Sequence, residues 1–152
     1  MEGVMFKHIL LPTDGSKLSN RAVKYGIEFA KSINAKVTTI HVVPEFRMGA
    51  DEGFVSPMGA QMKRRFEEES REQAKKLLAK VETAAGTAGV KCETVAVVSD
   101  LPFQQIIETA KKKKCDLIMM ASHGRKGLSS LLLGSETAKV LTHSKIPVLV
   151  VR

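Results

Sequence analysis

Short apolar runs alternate with segments of helical period along the whole 152-residue chain, and this alternation constrains the fold more than any other feature. Phe6 to Leu11 is apolar without interruption after His8, the composition of a parallel strand covered on both faces. Pro12 stops it, and Asp14-Gly15-Ser16 supplies a turn. Ala22, Gly26, Phe29, Ala30 and Ile33 then recur at helical spacing and predict a first helix with a buried stripe. Val37 to Val43 predicts a second strand ended by Pro44, and Glu45 to Pro57, with Gly49 and Gly53, is the longest candidate loop. A long helix follows, its inner face marked by Phe66, Ala74, Leu77, Val81 and Ala84 and its end by Gly86 and Gly89. Val90 to Val98 alternates only in part and predicts a third strand near a sheet edge. Pro102 opens a helix whose Phe103, Ile106, Ile107 and Ala110 share one face. Asp116 to Ala121 predicts strand four, Ser135 to His143 the last helix and Ile146 to Val151 strand five.

Strands separated by helices imply right-handed βαβ units, hence an α/β fold: an open, doubly wound, five-stranded parallel sheet with helices on both faces. No internal repeat or low-complexity linker points to a second domain, so residues 1–152 are expected to form one. No apolar stretch approaches the roughly 20 residues of a membrane span, and the N-terminus carries no basic-then-apolar leader, so a cytoplasmic protein is expected. Cys92 and Cys115 belong to no CxxC or Cys/His cluster, which predicts reduced thiols rather than a disulfide or a zinc site. The net charge of +8 raises an anionic partner, but the cations are spread through helices apart from Lys63 to Arg65 and Lys111 to Lys114. With no Trp and one Tyr there is no stacking platform for nucleic acid, which is not expected as a partner.

The last third of the chain carries the functional signal. The run Leu117 to Ala121 ends in a polar loop, Ser122 to Ser130, containing Gly124; Gly134 and Ser135 follow and open a helix. A buried strand, a glycine-bearing loop and a helix start form the arrangement by which α/β proteins hold phosphate, because N–H groups at a helix N-terminus lack intrahelical partners and carry partial positive charge. In such sheets the ligand lies beyond the strands' carboxyl ends, near the loops after strands one, two and four. There is no GxxxxGK[ST] loop, no GxGxxG and no GxSxG. His123 has no visible orienting partner or reacting atom, and His8, His41 and His143 show no metal-ligand spacing with it, so no catalytic residue is assigned.

Taken together, Ile9 to Ser16 (ILLPTDGS), His41 to Pro44 (HVVP), the spacing Ala121, Ser122-His123, Gly124, Arg125 to Leu133, Gly134-Ser135, and the ending IPVLVVR resemble the single-domain universal stress proteins of the nucleotide-binding type over nearly the whole chain. The departure is Ala121, where that pattern has glycine; one extra methyl is expected to weaken or reshape binding rather than abolish it. The resemblance implies strand order 3-2-1-4-5 and an adenine nucleotide, ATP first with AMP or ADP as alternatives, accompanied by Mg2+ or Mn2+ when a triphosphate is bound. It implies that Asp14 meets the ribose hydroxyls or a metal-bound water, unless it merely caps the first helix, with Pro12 and Thr13 shaping the wall. Val42 would lie against adenine, with Met120 and Ala121 near sugar and base. Gly124, Gly134 and Ser135 would surround the phosphates, with N–H groups of Ser135 and Glu136 and the Thr137 hydroxyl as donors, and Ser135 could cap the last helix. Arg125 and Lys126 would neutralise phosphate or stay solvated, and His123 would support the glycine turn. The resemblance further implies a two-fold homodimer through strand five, Ile146 to Val151, whose free edge would otherwise be unpaired. The expected function is nucleotide binding in stress response or signalling. The alternatives are a slow nucleotide hydrolase, a nucleotide-free protein-interaction module and a cyclic-nucleotide sensor.

Overall fold

Four of the nine elements in the computed structural model are helices, and they separate five strands: β1 (His8–Pro12), α1 (Lys17–Ile33), β2 (Lys36–Val43), α2 (Pro57–Thr87), β3 (Cys92–Val98), α3 (Pro102–Lys112), β4 (Leu117–Ala121), α4 (Ser135–His143) and β5 (Val148–Val151). The structure describes residues 5–47, 56–124 and 133–152. All neighbouring strands pair in parallel, in the order β3-β2-β1-β4-β5. The chain winds outward from β1 to β3 and then crosses to β4, so the order reverses between β1 and β4, where a doubly wound sheet opens its crevice.

The uninterrupted apolar runs follow from two cores. Ile9, Leu11, Val37, Leu117 and Met119 join Val23, Ile27, Ala30, Val81 and Ala85 on the side of α1 and α2. Leu10, Ile40, Ile118 and Met120 join Ile106, Ile107, Ala110 and Val140 on the side of α3 and α4. Alternate residues of a central strand enter opposite cores, so its positions are apolar or, like His8, Thr38 and Thr39, buried with a hydrogen-bond partner.

Several element boundaries differ from the sequence reading. Pro12 is the last residue of β1 rather than its stop; the ladder is carried past it by Thr13, whose N–H donates to the Ile40 carbonyl at 2.9 Å. The buried face of α2 is Ala74, Leu78, Val81 and Ala85, one residue on from Leu77 and Ala84. That helix runs through Gly86, and its exit is made by Gly89 at φ +77°, where the left-handed region favours glycine. Val90 still belongs to that exit, its N–H donating to the Ala85 carbonyl at 2.8 Å, so β3 starts at Cys92. Ile146 is held in a turn by the Ser144 hydroxyl, which accepts from its N–H at 3.0 Å and donates to its carbonyl at 2.8 Å, so β5 starts at Val148. Both thiols are free, and burial pushes Cys92 up to about 11 and Cys115 up to about 12, which makes them poor nucleophiles.

At the opposite end of the sheet from the crevice, His8 is buried with its Nε2 2.7 Å from the Thr38 hydroxyl. The Asp116 carboxylate accepts from the N–H groups of Lys7 and His8 at 2.9 and 3.1 Å. Burial, and then the charge of Lys36, lower the His8 pKa from its ordinary value of 6.5. The unfolded chain therefore takes up a proton that the folded one resists. The stability contributed by neutral His8 is full above pH 6.5 and is lost as the pH falls through the lower folded value. Thermal denaturation followed against pH should show Tm falling on that acid side, with a shallower fall in His8→Gln.

Candidate functional site

The exits of β1, β2 and β4 meet the N-terminus of α4 around a cavity of about 620 Å³. Every sequence-predicted site residue among the described ones lines it; Arg125, like Lys126, lies outside the described residues.

At the β1 exit the backbone is fixed before any ligand arrives. Thr13 is buried, its hydroxyl accepting from the Ser19 hydroxyl at 3.0 Å and its carbonyl meeting His41 Nδ1 at 2.9 Å. His41 of the HVVP segment thus braces the wall. The Asp14 N–H donates to the Ser19 hydroxyl at 3.1 Å, and Asp14 Oδ1 accepts from the Ser16 N–H at 2.9 Å. Ser16, not Asp14, caps α1, accepting from the Ser19 N–H at 3.2 Å. Asp14 lines the cavity with its Oδ2 close against Gly124: a Cβ there would stand 2.5 Å from it.

The β4 exit makes the facing wall. Met120 and Ala121 end the strand on the cavity, and the Ala121 carbonyl accepts from the Thr137 hydroxyl at 2.8 Å. Since a hydroxyl has one proton to donate, Thr137 pins α4 to β4 rather than offering a donor to a ligand. The Gly134 N–H donates to the Ser122 carbonyl at 2.7 Å, and a Cβ on Gly134 would press on that oxygen at 3.1 Å and on His123 Cα at 3.2 Å. Gly134 is the N-cap residue of α4, which has no side-chain cap, so Ser135 is its first helical residue and not its cap. Among the described residues nothing caps the N–H groups of the first turn, including Ser135 and Glu136, at the positive end of the helix dipole.

The side chains of Glu136 and His123 are engaged within the protein. The Glu136 carboxylate accepts from the Phe103 N–H at 2.8 Å and pairs with Lys139 at 3.6 Å, so it caps α3 and leaves its backbone N–H to the cavity. His123 is buried, its Nδ1 3.0 Å from the Ser122 hydroxyl and its Nε2 without a partner among the described residues. It supports the turn through Ser122. Among the described residues no three His, Cys, Asp or Glu side chains gather as a metal site.

Sequence reasoning missed the end of the cavity formed by Arg47, Ser99, Asp100, Pro102 and Ile106. The Arg47 guanidinium pairs with Asp100, and Asp100 Oδ1 accepts from the Glu45 N–H at 3.0 Å. That backbone bond, then Arg47, holds the Asp100 carboxyl below its ordinary range. The rule that ligands lie beyond strand ends, applied also to β3, would have found Asp100; nothing in the sequence marked Arg47. A larger cavity of about 1010 Å³ lies between α2 and β3, around Phe46, Phe66, Leu78 and Val98. It holds none of the predicted residues and no helix N-terminus, so its size does not make it the site.

Fold and cavity together define a doubly wound α/β domain with a preformed crevice at its topological switch point, opened by an uncapped helix N-terminus. The universal stress protein family model matches residues 5–152, and the chain belongs to that family. It is 38% identical over 152 residues to universal stress protein MJ0531 of Methanocaldococcus jannaschii, covering 97% of this chain and 83% of the relative. It is 32% identical to MJ0577 of the same organism, covering 98% and 96%. Among solved structures, MJ0577 superimposes with a TM-score of 0.78 at 29% identity over 97% of this chain and 96% of its own. A universal stress protein in complex with cAMP superimposes with a TM-score of 0.69 at 25% identity, covering 97% and 98%.

Proposed function

We propose that this protein binds an adenine nucleotide, ATP first, in the 620 Å³ crevice and acts in the cytoplasm as a nucleotide-responsive module of stress response or signalling. The observation that carries this reading is the apposition of Asp14 and Gly124 beside the uncapped start of α4. A carboxylate suited to ribose hydroxyls lies against a turn where a Cβ would displace it, next to N–H groups suited to phosphate. Val42, Met120 and Ala121 would take the base and sugar, and Gly124, Gly134 and the N–H groups of Ser135 and Glu136 the phosphates. Mg2+ or Mn2+ would enter with a triphosphate, reached by Asp14 through water. A relative's complex with cAMP keeps a cyclic nucleotide as the second reading. Binding without hydrolysis is the reading kept here: among the described residues the histidine lining the cavity is His123, and its Nδ1 is set on the Ser122 hydroxyl.

The test is to denature the purified protein and identify released nucleotide by chromatography and mass spectrometry, then to titrate emptied protein. Bound ATP, or stabilisation by about 2.7 kcal/mol at a ligand concentration 100 times Kd, is expected. Empty protein with no thermal shift in millimolar nucleotide would favour the interaction module instead. The same sample tests the proposed homodimer: β5 is an edge strand with Leu149 exposed, and a light-scattering mass of one chain would overturn it.

A further inference from the structure

The strand order lays the cavity out as a row. Ser99 and Asp100 follow β3, Val42, Pro44 and Arg47 stand at the end of β2, Pro12 to Asp14 at the end of β1, Met120, Ala121, His123 and Gly124 at the end of β4, and α4 begins beyond them. The features suited to phosphate are at the β4 end. A nucleotide with its phosphates there and its sugar at Asp14 must extend its base toward the exits of β2 and β3.

At that end Arg47 lines the cavity with an unusual commitment. Both its Nε and a terminal nitrogen are engaged by one oxygen of Asp100, whose other oxygen is fixed by the Glu45 N–H at 3.0 Å. Glu45 adds a second carboxylate 3.9 Å from the guanidinium. Two carboxylates against one guanidinium make this end unwelcoming to phosphate. A guanidinium bonded along its edge keeps its flat faces, which stack on aromatic rings.

We propose that Arg47, held by its edge on Asp100, is the outer face of a base subsite and stacks on a purine ring laid against Val42, with Asp100 as its positioning residue. This rests on the nucleotide reading above. Calorimetric titration with ATP should show Arg47→Ala binding about tenfold more weakly than wild type, the scale of one base-stacking contact. Arg47 is 74% exposed, so the variant should melt as wild type does without nucleotide. Arg47→Lys keeps the charge but not the plane and should recover little of the affinity. The Ala-to-wild-type ratio should persist from low to high salt, since stacking is screened far less than a phosphate contact. Adding Asp100→Asn to Arg47→Ala should cost nothing further, because Asp100 acts through Arg47. Unchanged affinity in Arg47→Ala, full recovery in Arg47→Lys, a ratio that collapses in high salt, or an additive loss in the double variant would each overturn the proposal. Wild-type protein that binds no ATP would instead sink the nucleotide reading, and this subsite with it, before any variant is made.

Discussion

Alanine at Gly124 should lower ATP affinity about 10- to 100-fold while leaving the melting temperature nearly unchanged. The added Cβ would stand 2.5 Å from Asp14 Oδ2, well inside contact distance. The turn cannot retreat, because the Gly134 N–H is bonded to the Ser122 carbonyl at 2.7 Å and the Ser122 N–H to the Val151 carbonyl at 2.9 Å. The carboxylate must swing away, giving up the Ser16 N–H and its place beside Gly124. The fold survives, since only a side-chain end moves. The site loses a charge-assisted hydrogen bond, worth about 1.5–3 kcal/mol, which is the quoted factor in Kd. Calorimetric titration beside a melting curve checks both halves, and an unchanged Kd would remove Asp14 and Gly124 from the binding site. The glycine has no left-handed backbone here: the positive-φ glycines of the described residues are Gly15 and Gly89. Its requirement is close approach. That contrast explains why Ala121 can stand where related motifs carry glycine: its carbonyl is turned to Thr137, and it ends a regular strand.

Ile118→Ala should destabilise the fold by about 2–5 kcal/mol, the range for a fully buried aliphatic truncated to alanine. Ile118 has no exposed surface and lies in β4, between β1 and β5, within the core that holds Leu10, Ile106 and Val140. Rigid strands on both sides limit collapse into the space left behind. For a domain of this size the Tm should fall by roughly 5–20 °C. Denaturant titration should move the midpoint without changing its slope. A loss under about 1 kcal/mol would mean that the α3–α4 core is not packed as described.

The sequence showed the central strands clearly because burial on both faces leaves few polar positions in them, His8, Thr38 and Thr39 being the buried ones in β1 and β2. It showed the wrong phase of α2, because an Ala-rich helix with Leu77 and Leu78 adjacent supports two neighbouring stripes. Only contact with the sheet selects Leu78 and Ala85. Ends were misplaced where side-chain or helix-exit bonds take over an apolar residue, as at Val90 and Ile146.

The candidate site divides in the same way. Pro12 to Asp14, Val42, Met120 to Gly124 and Gly134 to Thr137 were legible because each ends a strand or opens a helix, and parallel topology brings such points together. The commitments of Thr137, Glu136 and Ser16 were not, because a hydroxyl or carboxylate at a helix start reads alike whether it serves a ligand, its own helix or a neighbour. Arg47 and Asp100 stand 53 positions apart, in loops without periodicity, and meet only because β2 and β3 are adjacent. By itself the sequence determined the alternation, hence the parallel sheet and the end at which a ligand enters, because these rest on local patterning and backbone stereochemistry. Tertiary structure alone decided which polar groups remain available at that entrance, because a hydrogen bond between distant segments depends on where the finished fold puts them.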